Sequence, residues 1–211
     1  MRHDEERGHL DTGAVHDPGA RRLVVAITGA SGPQFGIRLL QVLADDRSVE
    51  AHLILSDVAQ RTLELEVGTT GAAVRELADV VYDPGDYAAA VSSGSFRTMG
   101  MVVAPCSMST LGAIASGVST SLVARAADVT LKERRPLVLL TRETPLNLIH
   151  LRNMVAVTEA GATVLPPAPA FYHGPETIED LVDQTVGKVL DQFLVDHELF
   201  TRWRSPEGSG P

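Results

Sequence analysis

The sequence has little sulfur and few aromatic residues. Its single cysteine, Cys106, can form neither an internal disulfide nor a thiolate metal cluster, which fits a reducing cytosol. We therefore predict a cytoplasmic protein with no zinc site. Aromatic residues make up 4% of the chain and hydrophobic residues 44%, so the core must be mainly aliphatic. Such a core is typical of a parallel α/β sheet covered by helices.

Excess positive charge and long apolar runs are also missing. The formal net charge of -9 argues against nucleic acid as a partner, because binding its backbone depends on Lys and Arg. No apolar run reaches the roughly 20 residues that cross a membrane. Residues 1–22 lack the hydrophobic centre of a secretory signal and are interpreted as a disordered leader. We expect one domain over 23–203 and a flexible tail over 204–211, with no membrane partner.

Apolar runs and helical periodicities alternate along the chain. The alternation predicts a Rossmann-like parallel sheet flanked by helices, with ligands at the carboxyl ends of its strands. Strands are predicted at 23–28, 51–56, 101–104, 136–141 and 162–165. Helices are predicted from Pro33 onward and at 58–66, 72–80, 122–133, 146–160 and 177–194.

The turn Gly29-Ala30-Ser31-Gly32 joins the first strand to a helix that opens with Pro33. Small residues and a helix N-terminus make a phosphate cradle, with Ser31 or Gly32 as the cap and with free backbone N–H groups pointing outward. The sequence lacks the third glycine of the dinucleotide fingerprint and the Gly-Lys-Ser/Thr ending of a Walker loop. Taken alone, the turn is as compatible with a tight structural turn as with a phosphate site.

Polar residues follow two later strands. Ser107, Ser109 and Thr110 offer hydroxyls to ligand oxygens, and the Cys106 beside them is interpreted as a packing residue. Arg142 and Glu143 follow the strand at 136–141, where open α/β sheets place ligand contacts.

Three other segments carry candidate groups. Lys132 is a candidate site residue, whereas the next three residues, 133–135, are interpreted as a solvated helix end. Prolines at 166–169 stiffen the segment that carries Tyr172, for which core packing or a subunit contact is the alternative. The single tryptophan, Trp203, is expected to pack on another element or another subunit.

Taken together and in order, seven motifs resemble the UbiX-type flavin prenyltransferases, from Leu23 to about Trp203. They are Gly29-Ala30-Ser31-Gly32, Ser93-Gly94-Ser95-Phe96, Pro105-Cys106-Ser107, Arg125-Ala126-Ala127-Asp128, Leu131-Lys132-Glu133-Arg134-Arg135-Pro136-Leu137, Arg142-Glu143-Thr144-Pro145 and Pro169-Ala170-Phe171-Tyr172-His173.

The resemblance implies a Rossmann-like flavoprotein, usually a homododecamer. In this family reduced FMN accepts dimethylallyl from dimethylallyl monophosphate, and the prenylated FMN serves a UbiD-type decarboxylase. It also implies site residues. Flavin contacts would fall on Gly29, Ala30, Ser31, Ser56, Ser107, Met108, Ser109, Thr110 and Arg142. The prenyl phosphate would meet Tyr172 and Lys188, helped by Lys132. Glu143, Glu66 and Ser31 complete the catalytic set, with Glu143 placed to move protons.

The chain departs from the family pattern at four positions. Val67 and Gly68 replace a common Thr-Asp, Ser109 replaces a frequent lysine, and Pro33 replaces a frequent alanine. The change at Ser109 removes a positive charge near the implied flavin contacts.

The residue inventory fits the implied reaction. A departing phosphate gains negative charge, which Lys132, Lys188 and the Tyr172 hydroxyl could stabilise. Diphosphate-using prenyltransferases commonly hold magnesium with aspartate clusters, but the only adjacent Asp pair here is Asp45-Asp46. We therefore expect a metal-independent transfer from a monophosphate.

Two alternatives remain open at this point. One is an FMN-dependent cysteine decarboxylase, which uses an early histidine. His52 is the internal candidate, and it lies in a predicted strand, where a structural role is the better interpretation. The other is a noncatalytic FMN-binding subunit of an aromatic acid decarboxylase system, which shared fold alone does not exclude.

Overall fold

Parallel strands form the centre of the fold. The computed structural model describes residues 21–46 and 48–203, so most of the predicted leader and the whole tail lie outside the described residues. The strands are β1 (Arg21–Ile27), β2 (Val49–Leu55), β3 (Val80–Tyr82), β4 (Gly100–Cys106), β5 (Leu137–Thr141) and β6 (Thr163–Val164). The helices are α1 (Pro33–Asp45), α2 (Asp57–Glu66), α3 (Gly71–Arg75), α4 (Met108–Ala115), α5 (Leu122–Lys132), α6 (Leu148–Glu159) and α7 (Ile178–Asp191).

The strand order is β3-β2-β1-β4-β5-β6, and every neighbouring pair is parallel. This is the doubly wound order, in which the chain moves outward from β1 in one direction and then returns to the other side of β1. The reversal opens a crevice beyond the carboxyl ends of β1 and β4. The predicted Rossmann-like parallel sheet is confirmed.

Side chains of β1 alternate between two apolar layers. Leu23, Val25 and Ile27 pack with α1 and α7, whereas Val24 and Ala26 pack on the opposite face with α4 and α5. Phe193 is the one aromatic side chain among the buried core residues of the described chain. The prediction of an aliphatic core is confirmed.

Close backbone approach places α1 against the sheet. Gly32, the N-cap residue, has a φ of 100°, which favours glycine, and it has no side chain with which to cap the helix. One turn later, a Cβ at Gly36 would lie 2.3 Å from the carbonyl oxygen of Ala104. Gly36 therefore performs the helix-to-strand packing that the third glycine performs in a dinucleotide fold.

The predicted elements differ from the observed ones in three places. The helix predicted over 72–80 ends at Arg75, and Val80–Tyr82 forms β3, because Asp79 bonds to the backbone of Ala51 on β2. Pairing with the sheet thus overrides local helical composition. Strand β1 begins at Arg21, so residues 21 and 22 are not part of a disordered leader. Strand β4 continues through Cys106, so the loop predicted from 105 reduces to the cap residue of α4.

No helix of the described residues is both long enough and apolar enough to cross a membrane.

Candidate active site at the carboxyl edge of the sheet

A buried hydroxyl joins the ends of β1 and β4. Thr28 is 2% exposed; its hydroxyl donates to the Pro105 carbonyl at 2.7 Å and accepts from the Ser107 N–H at 2.9 Å. The two loops are therefore held in one arrangement. Sequence analysis missed Thr28, although a polar residue that closes an otherwise apolar strand is a recognisable signal.

The first loop is already in contact with a carboxylate. Glu66, at the end of α2, accepts hydrogen bonds from the Ser31 hydroxyl at 3.1 Å and from the Gly32 N–H at 2.9 Å. Ser31 and Glu66, two of the four residues predicted to be catalytic, are thus brought together. The prediction that this turn offers its N–H groups freely to a phosphate is wrong for Gly32, because Glu66 occupies the positive end of α1.

The second loop keeps its helix terminus available. Ser107 caps α4 by accepting from the Thr110 N–H at 3.2 Å, and its hydroxyl lies 3.0 Å from the Thr110 hydroxyl. Helix geometry leaves the first N–H groups, those of Met108 and Ser109, without intrahelical acceptors. Burial raises the pKa of the Cys106 thiol to about 12, so this thiol stays neutral. The interpretation of Cys106 as a packing residue is confirmed.

A cleft of about 380 Å³ brings several predicted residues together at this edge. It is lined by Ser31, Gly32, Gln34, Phe35, Thr141, Arg142, Glu143, Thr144, Pro166, Pro167 and Ala168. Its walls come from the segments that follow β1, β5 and β6. The Glu143 carboxylate accepts from the Thr144 N–H at 2.9 Å, and the Arg142 N–H donates to the Cys106 carbonyl at 3.3 Å. Ser31, Arg142 and Glu143 thus share one cleft.

Thr141 is a lining residue that sequence analysis missed. It is 3% exposed, and its Oγ1 has no hydrogen-bond partner among the described residues. Leaving a buried hydroxyl unpaired costs about 1–3 kcal/mol, so the Thr141 hydroxyl at the cleft wall is a candidate hydrogen-bonding group for a ligand. The unpaired Thr141 hydroxyl, the Arg142 cation and the nearby start of α4 fit a polar, anionic ligand such as flavin mononucleotide.

Ser56 sits beside this edge as the N-cap of α2. Its hydroxyl accepts from the Ala59 N–H at 3.2 Å, and its own N–H donates to the Ile27 carbonyl at 3.1 Å. The predicted flavin contact at Ser56 thus lies where β2 and β1 end side by side.

Lys132 lies apart from the cleft lining, at the end of α5. Its ammonium bonds to the Glu133 carboxylate and holds the pKa of that carboxyl below its usual range. The loop at Gly94 lies close by, because a Cβ at Gly94 would lie 2.6 Å from Lys132 Nζ. Arg135 donates to the carbonyls of Phe96 at 2.7 Å and Gly94 at 2.8 Å. The interpretation of Arg135 as part of a solvated helix end is wrong, because it fixes the loop beside Lys132.

Tyr172 and Lys188 lie on a second surface. The Tyr172 ring is 49% exposed and meets the ring of Trp203 edge to face, with centroids 5.7 Å apart. Lys188 Nζ lies 3.4 Å from a carboxylate oxygen of Asp191. Lys132, Tyr172 and Lys188 are absent from the lining of the cleft. One chain therefore brings Ser31, Arg142 and Glu143 of the predicted site together in the cleft, and it presents the three residues predicted to contact the phosphate elsewhere on its surface.

Within the part of the chain that is described, no group of three or more His, Cys, Asp or Glu side chains is arranged to hold a metal ion.

Comparison with known proteins identifies the family. The profile of the Flavoprotein family matches residues 14–190. Flavin prenyltransferase UbiX of Escherichia coli strain K12 is 53% identical over 186 residues, covering 87% of this chain and 98% of that protein. A crystal structure described as AnUbiX in complex with FMN and dimethylallyl pyrophosphate matches with a TM-score of 0.86 and 54% identity, covering 88% of this chain and 98% of that one.

Two further structures mark the breadth of this fold. A dodecameric FMN-dependent UbiX-like decarboxylase from Escherichia coli O157:H7 has a TM-score of 0.85 and 50% identity, covering 87% of this chain and all of that chain. The peptidyl-cysteine decarboxylase EpiD has a TM-score of 0.58 and 14% identity, covering 83% of this chain and 99% of that one, which shows a shared fold alone. With its doubly wound sheet, its polar cleft and its high identity to named relatives, the chain belongs to the Flavoprotein family and, within it, to the UbiX-type flavin prenyltransferases.

Proposed function

We propose that this protein transfers a dimethylallyl group from dimethylallyl monophosphate to reduced FMN, and that the prenylated FMN supplies a UbiD-type decarboxylase in the cytoplasm. The observation that carries the proposal is the 53% identity to a flavin prenyltransferase over 186 residues, combined with the meeting of Ser31, Arg142 and Glu143 in one cleft. We infer the reaction from the named relative, and we place it in the cleft.

The flavin is held by the carboxyl edge of the sheet. Reduced FMN, when bound, supplies the electron-rich ring that accepts the prenyl group. Arg142 and Thr141 offer hydrogen bonds from the wall of the cleft, while the loop from Ser107 to Thr110 offers hydroxyls and the start of α4. Gly29, Ala30 and Ser56 border the same edge. Because Glu66 occupies the start of α1, we place the phosphate tail at α4, whose first N–H groups have no intrahelical acceptor.

The donor phosphate is handled by exposed cations. Lys132 and Lys188 are each 47% exposed, and Tyr172 presents its hydroxyl from an exposed ring. These groups stabilise the negative charge that grows on the phosphate as its bond to the allylic carbon breaks. Glu143 moves the proton that the acceptor must lose. Ser31 lines the cleft, and Glu66 acts through Ser31, whose hydroxyl donates to the Glu66 carboxylate.

Another copy of this chain completes the site. Helix α6 and the loop before it leave a large apolar surface exposed, formed by Leu146, Leu148, Ile149, Leu151 and Val155. Contiguous apolar surface of this kind marks a protein interface. The UbiX-like decarboxylase described above is dodecameric, so we propose a homododecamer in which phosphate-contact residues of one copy face the cleft of another.

The test is a mass measurement of the flavin. The protein is incubated without oxygen with reduced FMN and dimethylallyl monophosphate, and in parallel with dimethylallyl pyrophosphate, since that compound is named in the AnUbiX structure. We expect the extracted flavin to gain one dimethylallyl unit from the monophosphate, and the yield to survive EDTA. A flavin of unchanged mass with both donors contradicts the proposal. Activation of a UbiD-type apo-decarboxylase by the extract tests the downstream partner.

A further inference from the structure

One carboxylate on α7 gathers side chains from separate parts of the chain. Asp191 accepts hydrogen bonds from both terminal nitrogens of Arg202, at 2.7 and 3.1 Å, and lies 3.2 Å from His197 Nε2 and 3.4 Å from Lys188 Nζ. Burial acts to raise the pKa of Asp191, but Arg202, His197 and Lys188 together hold it below its usual value. Asp191 is therefore a charged anchor for all three.

The same contacts fix the end of the described chain beside Tyr172. Arg202 precedes Trp203, whose ring meets Tyr172 at an interplanar angle of 87°. Asp191 and, to a smaller extent, Tyr172 raise the pKa of Arg202, so Tyr172 lies within electrostatic reach of that guanidinium. Asp191 thereby connects Lys188 on α7 to Tyr172 in the segment before α7, through Arg202 and Trp203.

We propose that Asp191 is a positioning residue of the prenyl-phosphate site, and that Arg202 is a further cation of that site. This inference rests on the proposed function, which gives Lys188 and Tyr172 their phosphate. Two cations side by side repel each other, and a carboxylate between them removes most of that cost. Asp191 offsets one of the two positive charges of Lys188 and Arg202, and Asp196 acts on Arg202 more weakly than Asp191 does, so the two cations stay available to a phosphate.

Two surfaces near Arg202 differ in charge, and this difference indicates which of them a phosphate approaches. A cavity of about 920 Å³ is lined by Arg202 together with Glu176, Asp180 and Glu198. Three carboxylates make this cavity unfavourable for an anion. The phosphate instead meets the exposed surfaces of Lys188 and Arg202, which are 47% and 51% exposed.

The chain offers a matched control on the same helix. Asp183 accepts from Arg38 at 2.6 and 3.2 Å and is 23% exposed, against 19% for Asp191. Asp183→Asn and Asp191→Asn therefore each remove one carboxylate charge from an arginine pair of similar exposure, but only Asp191 also contacts Lys188 and His197. We expect Asp191→Asn to raise the KM for dimethylallyl monophosphate by about tenfold and to leave the Kd for FMN unchanged. Asp183→Asn leaves both constants unchanged.

Fluorescence gives a readout that does not depend on turnover. Trp203 is the only tryptophan of the sequence, so its emission anisotropy reports whether the end of the chain stays on α7. We expect anisotropy to fall in Asp191→Asn and not in Asp183→Asn. Arg202→Ala should raise the donor KM, and Arg202→Lys should restore it in part.

The outcomes separate the inference from the proposed function. If the unsubstituted protein fails to prenylate FMN, the proposed function is wrong. If it prenylates FMN but Asp191→Asn and Arg202→Ala change the donor KM no more than Asp183→Asn does, the positioning role is wrong. A loss of FMN affinity equal to the loss of donor affinity also overturns it, because that pattern indicates general disruption.

Discussion

The cleft that contains Ser31 and Glu143 and the patch around Asp191 are built in different ways. The cleft is formed by the ends of parallel strands, and its supporting residues, Thr28 and Thr141, are almost completely buried. The patch is formed on the outer surface of α7 by a segment that follows the last helix. A buried sheet edge suits a rigid flavin, whereas long exposed cations suit a phosphate that must enter and leave. One chain thus carries a buried cleft and an exposed cationic patch, which are the two half-sites of the proposed active site.

Removing the proton-transfer group should produce the largest effect. Glu143→Gln keeps the shape of the side chain but removes its charge, and general acid–base groups contribute roughly 10²–10⁴ in rate. We expect single-turnover prenylation to slow by that factor while the Kd for FMN stays unchanged. Glu64→Gln, on an exposed face of α2, is the control. Unchanged single-turnover kinetics in Glu143→Gln would show that the cleft does not perform the proton transfer.

Mixing two impaired variants tests whether the half-sites meet between copies. Glu143→Gln damages the cleft and Lys188→Ala damages the patch. In mixed assemblies that form at random, about a quarter of the sites would combine an intact cleft with an intact patch from a neighbouring copy. We expect co-expression to restore about a quarter of the unsubstituted activity. No recovery in assemblies shown by mass spectrometry to contain both variants would place both half-sites within one chain.

Thr141→Val tests whether the cleft reserves a hydroxyl for its ligand. Valine keeps the shape of threonine but removes the unpaired oxygen, so we expect FMN affinity to fall by about 1–2 kcal/mol. The free energy of unfolding without FMN should stay the same or rise, because no protein hydrogen bond is lost. Thr130→Val is the control: its hydroxyl donates to the Ala126 carbonyl at 2.7 Å, so that variant should lose stability and keep FMN affinity. The reverse pattern would give Thr141 a structural role.

The two half-sites also differ in how far the sequence predicts them. Alternating apolar runs predict the sheet, and the loops after its strands predict that Ser31, Arg142 and Glu143 meet, because carboxyl ends of parallel strands share one edge. The Asp191 patch has no such periodic signal. Its members are joined by side-chain contacts between α7 and the end of the described chain, and a sequence pattern does not encode which carboxylate a distant arginine reaches.

Two of the sequence predictions are wrong for the same physical reason. Strand β3 forms in a segment of helical composition because Asp79 pairs with β2, and Glu66 reaches the start of α1 across 34 residues of sequence. Each depends on a contact that only the folded chain creates. All the predicted flavin contacts and phosphate contacts, and the catalytic roles of Ser31, Glu66, Lys132 and Glu143, stay predictions, because they concern ligands and neighbouring copies.

The smallest effect should be a pH dependence of stability that comes from His52, which is buried in the middle of β2. His52 is 3% exposed, with Nδ1 2.8 Å from the Tyr82 hydroxyl, while Arg22 bonds to Glu50 at 2.8 Å nearby. Burial lowers the pKa of His52, although Glu50 opposes that shift. The folded protein therefore keeps His52 neutral in a range where the unfolded chain takes up a proton. Stability is complete above the unfolded pKa of about 6.5 and declines as the pH falls below it.

Thermal unfolding measured from pH 8 downward tests this assignment. We expect Tm to decline below about pH 6.5 and His52→Gln to remove part of that decline, at the cost of a lower Tm at pH 8. Burial raises the pKa of Tyr82 to about 12, so Tyr82 does not titrate in this range. FMN affinity should stay constant across the same range in both proteins, because His52 is buried in β2 and does not line the cleft. A parallel loss of FMN affinity and Tm would mean that His52 and the cleft are coupled.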